Sequence, residues 1–197
     1  MKNLWLNPSF AASKAPISVV ADRDGTLIEH VDYVHDPDQI QLLSGVKTCV
    51  HELIQAKIPL FIFTNQSGVG RGFCTIEAVH ACQKRLFELL EIEPNTIAGW
   101  CIAPETPGTT GGFRKPSPRF IHEAAQHVGQ STDQFHMIGD TLVDLETAWN
   151  SDAHAWAVAS GKPELPAAHS KQAILGTYHL ENDFTDCVSK IMETNKI

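Results

Sequence analysis

Five short apolar runs punctuate this chain, and between them lie stretches with helical spacing. The runs are Ile17–Ala21, Ile58–Thr64, Ala98–Ile102, Phe135–Ile138 and Ala153–Val158. Val46, Val50, Leu53 and Ile54 recur at intervals of three and four, predicting a helix over 46–57. Thr75 is an expected N-cap for a helix reaching about Glu91, and Ser117 with Pro118 is expected to open another. Thr141 and Asp144 have capping-box spacing, with Leu142, Leu145 and Trp149 expected on the buried side of that helix. Strand and helix alternating over crossover-length connections predict an α/β fold, with a parallel sheet covered on both faces. A short strand near Tyr178 and a helix from about Asp183 would close it.

At 197 residues the chain suits one domain spanning 1–197, with 1–15 as an N-terminal extension and about 164–197 completing the domain. Lys plus Arg number 15 against 23 Asp plus Glu, a net charge of -8 that disfavours nucleic acid as a partner. The five cysteines are scattered without CxxC spacing, so no disulfide framework is indicated. The first residues lack an apolar h-region and no long apolar run follows, so the cytoplasm, without membrane attachment, is the expected location.

The polar residues just beyond the apolar runs carry the chemistry. Asp22 and Asp24 follow the first run, Thr64 and Asn65 end the second, and Gly139 and Asp140 follow the fourth. In a parallel sheet these strand ends converge on one edge, where open sheets bind ligands. Asp22 and Asp140 can offer hard oxygen ligands to Mg²⁺. Lys115, Thr64 and backbone N–H groups could hold phosphate oxygens, and Lys115 with Arg114 would offset substrate charge. An aspartate can also be a nucleophile, and a second carboxylate beside it can move the proton.

Taken in order, Asp22-Arg23-Asp24-Gly25-Thr26, Tyr33-Val34-His35, the run Thr64 to Gly72, Arg114-Lys115-Pro116, Gly139-Asp140 with Asp144, and Gly161-Lys162-Pro163 resemble the haloacid dehalogenase-like phosphatases. The resemblance lies within their heptose-1,7-bisphosphate 7-phosphatase and histidinol-phosphatase branch. It implies a three-layer Rossmann-like fold without a large cap domain, Asp22 as nucleophile and Asp24 as general acid/base. Mg²⁺ would be held by Asp22, the Asp24 backbone carbonyl and Asp140. Thr64, Asn65 and Lys115 would contact phosphate and Arg114 the substrate. The implied reaction is Mg²⁺-dependent hydrolysis of a small phosphorylated metabolite, with heptose bisphosphate the best match and histidinol phosphate its rival.

One segment departs from that branch. Its members carry three cysteines and a histidine before Arg-Lys-Pro, whereas here only Cys101 is present, and one thiolate does not make a zinc site. No zinc is expected. Other roles stay open at this stage. Asp144 could be a ligand, a partner of Lys115 or a helix cap. Arg71 could reach a distal group of the substrate or lie on the surface, and Tyr33 and His35 could line the pocket. Polynucleotide 3′-phosphatases share the Asp22 and Thr64 motifs, and a non-catalytic phospho-ligand module is a third reading. A monomer is the simpler expectation.

Overall fold

A computed structural model of the protein describes residues 1–162, 164–170 and 176–197. Pro163, part of the Gly161-Lys162-Pro163 motif, lies outside the described residues. In chain order the strands are β1 (Leu4–Leu6), β2 (Ser18–Ala21), β3 (Leu60–Asn65), β4 (Gly99–Ala103), β5 (Phe135–Gly139), β6 (His154–Val158) and β7 (His179–Glu181). The helices are α1 (Val46–Gln55), α2 (Ser67–Gly70), α3 (Ile76–Leu90), α4 (Arg119–Val128), α5 (Leu142–Asn150), α6 (Glu164–Ser170) and α7 (Phe184–Asn195).

The strands form one sheet in the order β1-β4-β3-β2-β5-β6-β7. Every neighbouring pair is parallel except β1 with β4, where Trp5 faces Trp100 in an antiparallel register. The stretch expected to be a mere extension thus supplies an edge strand, secured by stacking of the Trp5 and Trp100 rings at 4.5 Å. Three apolar residues are too few to announce a strand by alternation; the partner strand decides it.

Alternation along the strands sorts the core into two faces. Val19, Ala21, Leu60, Ile62, Ile102 and Ile138 join residues of α1, α3 and α7 on one side. Val20, Phe61, Phe63, Phe135 and Met137 join Phe120, Ala124, Leu145 and Leu165 on the other. Helix starts follow local chemistry. Thr75 accepts the Ala78 N–H at 3.2 Å, and Thr141 with Asp144 forms a reciprocal capping box. At α4 the helix begins at Arg119, so Pro118 stands in the cap position rather than the first turn. Leu142 also departs from expectation. It is exposed, because α5 turns Leu145 and Ala148 inward and leaves its first residue at the rim.

Strand order places the site. The chain runs outward from β2 through β3 and β4, then returns to lay β5 on the opposite side of β2. Asp22 and Asp24 therefore emerge at the point where the winding reverses. There the loops after β2, β3 and β5 diverge and leave a crevice.

Candidate active site

Asp22 directly follows β2, and its N–H is bound to the Ile138 carbonyl of β5 at 2.8 Å. Lys115 reaches it from the loop before α4. Its Nζ donates to Asp22 Oδ1 at 2.5 Å, to Asp144 Oδ1 at 2.5 Å and to the Phe63 carbonyl at 3.0 Å. Lys115 is only 3% exposed, so its charge is held by these three oxygens rather than by water. Burial opposes that charge, but Asp144 and then Asp22 outweigh it and hold the amine above the ordinary lysine range.

The carboxylates outnumber this cation. Asp22, Asp140 and Asp144 each offer an oxygen within 4.8 Å of the others, and all three are buried. Burial pushes Asp22 well above the usual carboxylate range, Lys115 opposes it, and Asp144, Asp140 and Asp24 add to the rise. Asp140 is raised to about 6, first by burial and then by Asp144. The Lys162 N–H, bound to Asp140 Oδ2 at 2.9 Å, works against that rise. Such a set of hard oxygens, short of positive charge, fits a small divalent cation.

Glycines make room for the acids. A Cβ at Gly161 would stand 2.1 Å from Asp140 Oδ2. One at Gly25 would stand 2.4 Å from the same oxygen, and Gly25 has φ +90°, which favours glycine in any case. Asp144 has less to offer a metal than Asp22 or Asp140. One of its oxygens is taken by Lys115, and the other accepts the Thr141 N–H at 3.0 Å and Oγ1 at 2.5 Å. Helix cap and lysine partner, two of the three readings left open for this residue, are both present.

Asp24 has donors of its own. Oδ2 accepts from Arg23 Nε at 3.1 Å, Thr64 Oγ1 at 3.1 Å and Gln66 Nε2 at 2.9 Å. Among the described residues its carbonyl oxygen accepts no hydrogen bond, leaving it available as a metal ligand. Asn65 uses its side chain to grip the backbone of Lys115, accepting its N–H at 2.9 Å and donating to its carbonyl at 3.2 Å. Thr64 and Asn65 thus reach the site, and in this structure their side chains bond protein partners.

A cleft of about 200 Å³ opens beside Asp24, lined by His30, Tyr33, Asn65, Gln66 and Lys162 among others. His35 is exposed and turns its Nδ1 to the Tyr33 carbonyl at 2.9 Å, and it does not line this cleft. A larger hollow of about 990 Å³ between β1 and α3 contains none of the site acids, so size does not outweigh chemistry here. Arg71 is exposed at the end of α2, and Arg114 is half-buried and donates to the Glu105 carbonyl at 3.3 Å. Burial, then the nearby Arg71 guanidinium, lowers Arg114 below the ordinary arginine range, while Glu105 and Tyr33 oppose this. Among the described residues neither arginine has a carboxylate within salt-bridge distance.

The loop after β4, where the related branch has its cysteines, is tied by protein groups. Glu105 Oε1 accepts the Phe113 N–H at 2.9 Å, Arg119 donates to the Gly111 carbonyl at 2.9 Å, and the same guanidinium lies 4.3 Å over the Phe113 ring. Cys101 points into the core, and burial pushes its thiol up. Arg23 and Gln66 stand inside the quoted motifs, but the sequence does not reveal their contact with Asp24. A wholly buried arginine is rare, and nothing local marks one in advance.

A buried lysine among carboxylates at the switch point of a parallel sheet is the equipment of an α/β enzyme that handles anions. The HAD-hydrolase-like family model matches residues 112–187. The D-glycero-D-manno-heptose-1,7-bisphosphate 7-phosphatase of Thermosynechococcus vestitus is 30% identical over 155 residues, covering 73% of this chain and 79% of the relative. The corresponding 7-phosphatase of Pseudomonas aeruginosa is 29% identical over 146 residues, covering 73% and 82%. In fold, the chain is similar to the crystal structure of the D,D-heptose 1,7-bisphosphate phosphatase from B. bronchiseptica, complexed with magnesium and phosphate. The TM-score is 0.78 at 22% identity, over 90% of this chain and 99% of that one. The chain belongs to the haloacid dehalogenase-like family and is a phosphatase. Among the described residues no helix is long and apolar enough to cross a membrane.

Proposed function

We propose that this phosphatase removes the 7-phosphate of D-glycero-D-manno-heptose 1,7-bisphosphate, using Mg²⁺ and an aspartyl-phosphate on Asp22. The observation that carries the reaction is the Asp22 carboxylate, buried at the end of β2 and fixed through Oδ1 by Lys115. The names of the relatives support the choice of substrate.

Asp22 and Asp140 would hold the cation together with the Asp24 carbonyl, while Asp144 keeps Lys115 in place. When bound, Mg²⁺ supplies the positive charge that offsets the crowded carboxylates and the phosphate oxygens. In the first step an Asp22 oxygen bonds to phosphorus as the ester P–O bond breaks, and Asp24 passes a proton to the departing alkoxide. In the second, Asp24 takes a proton from water, whose oxygen attacks the phosphorus. Inorganic phosphate leaves and Asp22 is again a carboxylate. Lys115 stays charged throughout, facing the oxygens on which negative charge collects.

Two arginines support a substrate with a second anion. The Arg71 guanidinium disfavours the charge on Arg114, and among the described residues neither arginine is neutralised by an ion pair. A distal phosphate would relieve that repulsion, and arginine's rigid fork suits it.

The test is phosphate release from the heptose bisphosphate with Mg²⁺ and with EDTA, using ³¹P NMR to identify the remaining phosphate. Loss of the 7-phosphate is expected, dependent on Mg²⁺ and abolished in folded Asp22→Asn. Faster release from histidinol phosphate or from a 3′-phosphorylated oligonucleotide would overturn the substrate. Turnover by Asp22→Asn near that of the unmodified protein would overturn the mechanism.

A further inference from the structure

Asp24 is held asymmetrically. Its Oδ2 receives Arg23 Nε, Thr64 Oγ1 and Gln66 Nε2, whereas among the described residues Oδ1 receives only Arg23 Nη2 at 3.2 Å. Gln66 Nε2 also donates to Thr64 Oγ1 at 2.8 Å, so the hydroxyl's own hydrogen is turned toward Asp24. Three donors converge on an oxygen with about two lone pairs, and a proton there would face them head-on. Oδ1 keeps acceptor capacity on a residue that lines the cleft.

The two donors that set this orientation are themselves immobilised. Arg23 is 0% exposed and is the second residue past the end of β2, while its backbone carbonyl receives the Leu27 N–H at 2.9 Å. Gln66 is 6% exposed, and its N–H is bound to the Ala103 carbonyl at the end of β4 at 2.7 Å. Two different strands thus fix one carboxylate. A buried guanidinium needs such a partner, and a paired side chain loses little further entropy when it serves as a brace.

We propose that Arg23 and Gln66 are positioning residues that orient Asp24 by engaging Oδ2, so that Oδ1 is the oxygen that gives and takes the catalytic proton. The inference rests on the reading of Asp24 as the acid and base of a phosphomonoesterase. Neither residue touches the phosphorus. Each acts through the direction in which Asp24 presents its proton.

The test compares two substrates in the Mg²⁺-loaded enzyme: heptose 1,7-bisphosphate, whose alkoxide needs a proton, and 2,4-dinitrophenyl phosphate, whose phenolate does not. Asp24→Asn is the reference, expected to lose ~10²–10⁴ in kcat on the sugar phosphate and far less on the aryl ester. Arg23→Lys, Arg23→Gln and Gln66→Met should each lose about tenfold or more on the sugar phosphate only, a displacement of the acid being costly. Placed in the Asp24→Asn background, each should add little, since the group it orients is already gone. Equal losses on both substrates, or full additivity with Asp24→Asn, would overturn the positioning role while leaving Asp24 as the acid. An Asp24→Asn variant equally impaired on both substrates would overturn the acid itself and the inference with it. Gln66→Met keeps the test decisive if the Arg23 variants do not fold.

Discussion

Lys115 Nζ lies 2.5 Å from Asp144 Oδ1, and the other oxygen of Asp144 caps the helix that carries it. One carboxylate therefore couples the start of α5 to the buried Lys115. Asp144→Ala should destabilise the protein by about 3–5 kcal/mol, because it leaves a buried charge short of a partner and uncaps a helix. Asp144→Asn should cost less, since its carbonyl can still receive Thr141. Urea unfolding midpoints measure the difference, and equal losses for both would deny the cap any part and leave the whole effect to the lost charge.

The crowding of Asp22, Asp140 and Asp144 predicts a second effect, of opposite sign. With Asp140 near 6 in the folded protein against an ordinary 3.8, the group favours folding in acid. That contribution is lost as pH rises through 6. Without Mg²⁺ at pH 7, Asp140→Asn should therefore be more stable than the natural protein, by up to about 3 kcal/mol. Adding Mg²⁺ should raise the melting temperature of the natural protein and hardly move the variant's. A less stable variant in EDTA would show that the carboxylates do not strain the metal-free site.

His136 gives a pH dependence outside the site. It is buried on β5, accepts the Trp156 Nε1 hydrogen at 3.1 Å, and stacks on His154. Burial first, then His154 and His179, lowers its pKa to about 3 from an ordinary 6.5. The unfolded chain then binds the proton that the folded one refuses, so stability from this group falls as pH drops from 6.5 toward 3. Between pH 7 and pH 5 the loss should be about 2 kcal/mol, and His136→Asn should flatten it. Denaturation at the two pH values in saturating Mg²⁺ separates this from the carboxylates.

Arg114 tests the substrate. Arg114→Ala should lower kcat/KM on the heptose bisphosphate by ~10- to 100-fold, the worth of a charge-assisted hydrogen bond, and much less on p-nitrophenyl phosphate. Equal losses on the two would move Arg114 to the transferred phosphate.

Much of this was legible along the chain because it depends on neighbours in sequence. Apolar runs of strand length ending in Asp22, Asn65 and Asp140, and helices opened by Thr75 and Thr141, follow from periodicity and capping, which are local. The convergence of those strand ends needed only the rule that parallel strands share a direction. Other features were settled by contacts between residues far apart in the chain. Leu4–Leu6 became a strand because β4 offered an unpaired edge, and Leu142 surfaced because α5 rotated Leu145 inward. Asp144 took two roles because Lys115, 29 positions away, arrives opposite its free oxygen. Arg23 and Gln66, 43 apart, meet on one oxygen of Asp24 because β2 and β3 are adjacent and in register. Sequence spacing carries the direction of a strand and the face of a helix. Which two side chains share a carboxylate is decided by packing, where burial makes every polar group find a partner and only the folded geometry says which one is in reach.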